Sequence, residues 1–288
     1  MMRILVTGAS GQVGGALAAG LPARGFSAIA TTRDSLDFDR PESIAEAFHA
    51  ARPDAVVSAA AWTAVDAAEA NEAAAFRANA EGPARLAALC AQAGIPLIHI
   101  STDYVFAGDK PEAYTEADPT GPVGAYGRTK LAGEWAVLAA NPRTIVLRTA
   151  WVYAATGKNF LRSMLALGAT RPELRIVADQ QGNPTAAVDL ADAIGAILGR
   201  LREGWRDEYR GVFHATSQGD TSWHGFAEAI FEASGGPRPV LHPITTAEYP
   251  TPARRPANSR LDGAKLERVF GVQMPHWRQG LERVVASL

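Results

Sequence analysis

A tyrosine and a lysine four residues apart, Tyr126 and Lys130 in Ala125-Tyr126-Gly127-Arg128-Thr129-Lys130, carry the clearest chemistry in this chain. On a helix, residues at that spacing share one face, so the ammonium can sit beneath the phenol. A neighbouring cation favours phenolate and is expected to pull the tyrosine down from its free pKa of about 10. A phenol tuned in that way can protonate a carbonyl oxygen while hydride attacks the carbon. Composition singles the lysine out, because only four of the 28 basic residues are lysines: Lys110, Lys130, Lys158 and Lys265. Arginine does most of the cationic work, so a lysine here suggests a task for a compact ammonium with a movable proton.

Such a pair needs a scaffold and a hydride source, and the first half of the chain supplies signals for both. Arg3-Ile4-Leu5-Val6-Thr7 reads as a buried strand, followed by Gly8-Ala9-Ser10-Gly11-Gln12-Val13-Gly14 and an alanine-rich helix. Strand, glycine turn and helix in that order form the context of a dinucleotide fingerprint. Gly8 would allow the tight turn, Gly11 the approach of a pyrophosphate, and Gly14 close helix packing, with the helix N-terminus facing the phosphates.

Further strands are expected at 27–32, 54–60, 96–101 and 144–149, alternating with helices, one of which opens at Pro41 and one of which bears Tyr126. That alternation predicts an α/β fold, a doubly wound parallel Rossmann sheet with ligands beyond the carboxyl ends of its strands. Ala59, Ala61, Trp62 and Thr63 follow one such end, and Thr102 and Asp103 another. After the second strand, Thr31-Thr32-Arg33 offers hydroxyls and a guanidinium, which predicts NADPH; Asp34 would serve NADH instead.

Whole-chain properties narrow the partners. A net charge of −2 gives no footprint for nucleic acid, and no apolar run is long enough to span a membrane. The first residues read as a strand, so no secretory leader is expected there. One cysteine, Cys90, excludes an internal disulfide framework and suits a reducing cytoplasm; its apolar helical setting reads as a packed thiol. Six scattered histidines show no metal-ligand spacing, and His99, inside a strand, reads as a core histidine.

Residues 1–152 are expected to form the NADP(H)-binding Rossmann domain, with segments near 187–217 returning to it. Residues 153–288 would then make up mainly a smaller, C-terminal substrate-binding lobe. Thr221-Ser222-Trp223 carries hydroxyls suited to capping a helix. The proline-rich run 249–256 cannot be helical and reads as an ordered or closing loop. Arg254, Arg255 and Arg260 place forked donors there that suit a diphosphate, or a solvated basic loop equally well.

The glycine spacing, the tyrosine–lysine pair and Ser101-Thr102-Asp103-Tyr104-Val105-Phe106 together resemble the extended short-chain dehydrogenase/reductase superfamily. Longer strings narrow the resemblance: Thr63-Ala64-Val65-Asp66-Ala67-Ala68-Glu69, Arg148-Thr149-Ala150-Trp151-Val152-Tyr153, Asp179-Gln180-Gln181-Gly182-Asn183-Pro184-Thr185 and Arg255-Pro256-Ala257-Asn258-Ser259-Arg260-Leu261. These are similar to the dTDP-4-dehydrorhamnose reductase family, in the family's order and over nearly the whole chain.

The resemblance implies NADPH-dependent reduction of the C4 ketone of dTDP-4-dehydro-β-L-rhamnose. It implies Tyr126 as proton donor, Thr102 as a second hydrogen-bond donor, and Lys130 as the group that lowers the tyrosine pKa and holds the nicotinamide ribose. Nucleotide contacts would fall on Gly11, Gln12, Val13, Asp37, Phe38, Ala61, Trp62 and Thr63, and sugar contacts on Thr102, Asp103 and Trp151. Phe38 and Trp151 could instead be core, and Asp103 a loop cap.

Ser58 and Trp62 depart from the family's usual asparagine and tyrosine or histidine, which leaves coenzyme affinity less defined than reaction type. Some relatives bind magnesium through glutamates at a dimer contact. Gly14-Gly15-Ala16-Leu17 lacks a carboxylate and Asp189 is displaced, so no metal is expected and a homodimer stays open. A reductase or epimerase of another nucleotide sugar, and a non-catalytic NADP-binding regulatory subunit, remain as alternatives.

Overall fold

Thr144–Thr149 shows why the centre of the fold is a parallel sheet. All six residues are buried, which requires cover on both faces, and the β-branched Thr144, Ile145, Val146 and Thr149 suit a pleated interior. In the computed structural model, which describes residues 1–288, this segment is β5 of a six-stranded sheet. The others are β1 (Met2–Thr7), β2 (Phe26–Ala30), β3 (Ala55–Ser58), β4 (Leu97–Thr102) and β6 (Gly211–His214). Their spatial order is β2-β1-β3-β4-β5-β6, and every pair is parallel. The order reverses direction at β1, so the crevice beyond the ends of β1 and β3 is the topological switch point.

Helices cover both faces. On one side α1 (Gln12–Gly20) and α5 (Ala187–Glu203) bring Leu17, Leu190, Ile194 and Ile197 against Ile4, Val6 and Ile145. On the other, α2 (Pro41–Ala51), α3 (Gly82–Ala93) and α4 (Ala125–Ala140) pack Ile44, Leu86, Cys90 and Val137 against Leu5, Val56 and Val146. Pro41 opens α2 at a position where a missing N–H costs nothing. One π-helical turn at Arg77–Glu81 runs directly into α3 at Gly82-Pro83.

Helix α5 and strand β6 return to this core, and residues 264–274 do so as well through Leu266, Phe270, Val272 and Met274. That last return carries no local sequence signal. A second cluster of Tyr153, Leu161, Leu174, Phe226, Ile230, Trp277 and Leu281 is built from later helices and a two-stranded parallel ribbon, Glu173–Val177 with Val240–Ile244. Ser222 caps the helix Trp223–Ser234 by accepting from the Gly225 N–H. No helix is long and apolar enough to cross a membrane.

Candidate active site

The glycine turn lies at the switch point. Gly8 takes φ +70°, and a Cβ there would come within 2.7 Å of the Ala60 Cα, so only glycine fits between the ends of β1 and β3. A Cβ on Gly14 would lie 2.2 Å from the Gly8 carbonyl oxygen, which explains the close helix packing. Gly11 is exposed, forms the N-cap of α1 and makes no side-chain cap, which leaves the first N–H groups of the helix free for an anion. The cradle fits a dinucleotide pyrophosphate.

Gln12 does more than line this cradle. Its Oε1 accepts from Asn159 Nδ2 at 2.9 Å, and it reaches the Val152 carbonyl, tying the turn to the second cluster's first helix; Val13 packs partly buried against the main core. Thr7 Oγ1 accepts from the Ala59 and Ala60 N–H groups and holds the segment after β3. Asn79 grips the next turn, accepting from the Trp62 N–H and donating to its carbonyl, while Ala61 is half-buried and Thr63 exposed.

Arg33 is exposed, and its guanidinium has no ion pair. Arg40 stands nearby, with Nε 3.7 Å from Asp37. Phe38 is buried in the core beside Ile44 and Leu86, its ring against the point where a Gly82 Cβ would stand.

Thr102 ends β4, and Tyr126 and Lys130 descend the first turns of α4, which packs over β4. The Thr102 hydroxyl donates to Asp103 Oδ1 at 2.8 Å and accepts from the Tyr104 N–H. The Tyr126 ring meets Tyr104 edge-on at 5.4 Å. The expected depression of the phenol is corrected here. Burial raises the Tyr126 pKa well above the ordinary range, the neighbouring Thr102 hydroxyl opposes this, and Asp103 and Tyr104 reinforce it. Shared helical face did not ensure coupling, because the Lys130 Nζ points to the β4 backbone and donates to the Ile100 carbonyl at 2.6 Å. Burial lowers Lys130 to about 8, with Glu134 acting the other way. Both states suit proton donation, since the phenol keeps its proton and the amine remains mostly charged at neutral pH.

Around this centre the substrate-side residues are unevenly free. Burial pushes Asp103 up to about 6, against hydrogen bonds from Ser259 and Thr102, and its Oδ2 has no partner. Trp151 has φ +47°, a costly backbone for a bulky residue, and stacks on Trp223 with ring centroids 3.5 Å apart. Arg255 is spent on Tyr104 Oη and Asp66, both at 2.9 Å, and so straps the proline-rich loop to the site's edge. Arg260 is likewise occupied by Asn258 and the Pro111 carbonyl. Arg254 is exposed beside a cavity of about 400 Å³ that Asp179, Thr246, Tyr249 and Arg255 also line. His99 is fully buried and neutral, held far below its usual pKa by burial and by Lys130. Asp189 is paired with Arg283 at 2.9 Å.

Sequence reasoning missed Glu134 and Arg148, which form a buried bidentate pair behind Lys130. A signal existed for each: Glu134 continues the four-residue spacing of Tyr126 and Lys130, and Arg148 is a charge inside an otherwise uncharged buried strand. Asn79 and the α4 cap made by Glu69, which accepts from the Ala125 N–H at 2.8 Å, had none.

Residues 2–288 match the family model described as RmlD substrate binding domain. A dTDP-4-dehydrorhamnose reductase of Sinorhizobium fredii is 46% identical over 291 residues, covering 100% of this chain and 98% of the relative. The crystal structure of a dTDP-4-dehydrorhamnose reductase from Clostridium acetobutylicum superposes with a TM-score of 0.92 at 40% identity, over 99% of each chain. One from Bacillus anthracis, in complex with NADP, gives 0.91 at 33% identity over 100% of both chains. With full-length matches at this identity, on a Rossmann sheet whose switch point carries the glycine cradle, the chain belongs to the dTDP-4-dehydrorhamnose reductase family.

Proposed function

We propose that this chain reduces the C4 ketone of dTDP-4-dehydro-β-L-rhamnose to the alcohol with NADPH. The observation that carries the reading is the gathering of Thr102, Tyr126 and Lys130 at the carboxyl end of β4 and the start of α4, on a sheet whose glycine cradle admits a dinucleotide. NADPH, when bound, supplies the hydride that goes to the carbonyl carbon. Tyr126 delivers its phenolic proton to the oxygen, and the Thr102 hydroxyl, turning from Asp103 to the substrate, donates a second hydrogen bond to it. Lys130 keeps a positive charge one helical turn below; turned to the Ile100 carbonyl, it leaves the resting phenol to burial, and its field acts only on the phenolate that forms in the transfer. Gly11, Gln12, Val13 and the segment from Ala59 to Thr63 hold the coenzyme, and Arg33 donates to its 2′-phosphate, with Asp37 on the adenosine side.

The sugar nucleotide lies toward Asp103 and Trp151, where the carboxyl and the indole recognise hydroxyls and a ring face. Arg255 acts through the strap that it holds. In this reading residues 153–288 mainly serve the substrate, apart from the returning segments. The single cysteine, buried with its thiol pushed up to about 12 by burial, supports a cytoplasmic setting.

The test is turnover by the purified chain with the keto sugar and NADPH, followed by loss of reduced coenzyme and by product analysis. Stoichiometric oxidation with formation of dTDP-L-rhamnose is expected. Sugar interconversion without net coenzyme use would point to an epimerase, and coenzyme binding without any turnover to a regulatory subunit.

A further inference from the structure

Glu134 follows Lys130 by one helical turn on the same face of α4 and is 1% exposed. Its carboxylate accepts three hydrogen bonds: from Ser101 Oγ at 2.5 Å, Arg148 Nε at 2.9 Å and Arg148 Nη2 at 2.7 Å. Ser101 and Arg148 face one another in register across β4 and β5. One carboxylate therefore pins α4 to the ends of two central strands, immediately before Thr102. The Phe106 ring closes over the guanidinium at 4.9 Å.

A buried ion pair is poor value as a source of stability, because a well-packed apolar pair often does as well. Its place suggests another use. Lys130 is 2% exposed, and burial works against its charge. The groups packed around it are few. On β4 the imidazole of His99 is neutral. On β5 the guanidinium of Arg148 is bound to Glu134. Beyond β4, Asp103 and Tyr104 act on Tyr126, itself on α4. Arg128 lies on the exposed face of α4, paired with Glu72. Glu134 is the anion left to favour the ammonium.

We propose that Glu134 and Arg148 are positioning residues for proton transfer: Glu134 keeps Lys130 charged inside the fold, while Arg148 and Ser101 fix that carboxylate and the strand end carrying Thr102. The consequence for turnover rests on the reductase reading, whereas the effect on Lys130 does not. The test compares wild type, Glu134→Asp and the double variant Glu134→Gln/Arg148→Met, which removes both buried charges together. Lys130 is titrated by NMR in lysine-labelled protein, where four lysines make assignment simple.

In the double variant the Lys130 midpoint should fall by about one pH unit, because Glu134 acts on the ammonium and Arg148, lost with it, does not. The alkaline limb of kcat should move down with it, while the Kd for NADPH changes little. Glu134→Asp should lie between the two. A folded double variant with an unshifted Lys130 overturns the proposal; should it fail to fold, a wild-type midpoint in Glu134→Asp does the same. A shifted Lys130 in a chain without turnover would leave the clamp standing and remove the reductase reading.

Discussion

Replacing Lys130 by methionine should make the protein more stable at neutral pH and much less active. The amine is fully buried, and its pKa falls from the usual 10.5 to about 8. That difference of roughly 2.5 units, at about 1.4 kcal/mol per unit, means that keeping the charge costs the fold about 3 kcal/mol at pH 7. Methionine fills a similar straight volume without a charge. It loses the hydrogen bond to the Ile100 carbonyl, worth about 1 kcal/mol, which leaves a net gain of about 2 kcal/mol.

The pH dependence gives the sharper check. Between about pH 8 and 10.5 the unfolded chain still binds this proton and the folded one does not, so wild-type stability rises with pH in that window. The methionine variant lacks this contribution, and its advantage should vanish as pH climbs from 8 to 10.5. Urea unfolding of both proteins at a series of pH values measures it. A variant less stable than wild type at pH 7, or a gap that does not change with pH, would refute the account of Lys130 as a charge held against its own burial.

Tyr126→Phe removes the proton donor without removing the ring packed on Tyr104, so kcat should fall about 10²–10⁴-fold with NADPH affinity nearly intact. Near-normal turnover would take Tyr126 out of the mechanism. Arg33→Ala should lower the NADPH over NADH preference in kcat/KM about tenfold or more, the worth of one charge-assisted contact; an unchanged ratio excludes this guanidinium. Gly8→Ala forces a Cβ into φ +70° and against Ala60, so thermal unfolding should show a loss of about 1–3 kcal/mol, with weakened coenzyme binding. Wild-type stability and affinity in that variant would mean that the turn is not a tight seat.

The order of elements was legible locally, because strand β1, the glycine turn and α1 each follow from residues within reach of one another. The same holds for β5, whose limits at Thr144 and Thr149 are set by its buried β-branched run. Spacing alone also placed Tyr126 and Lys130 on one helix and Thr102 at a strand end. Sequence could not tell what those side chains would meet. The ammonium turned to the Ile100 carbonyl and the phenol packed edge-on against Tyr104, so a pair expected to couple is dominated by its surroundings instead. Arg255 found Asp66 and Tyr104, Trp151 found Trp223, and Glu134 found Arg148, all over separations that no local pattern encodes. Propensity and periodicity act within a few residues, whereas charge state and side-chain availability depend on which distant groups exclude water. The chain's letters specified the candidate residues, and packing decided which of them already have partners.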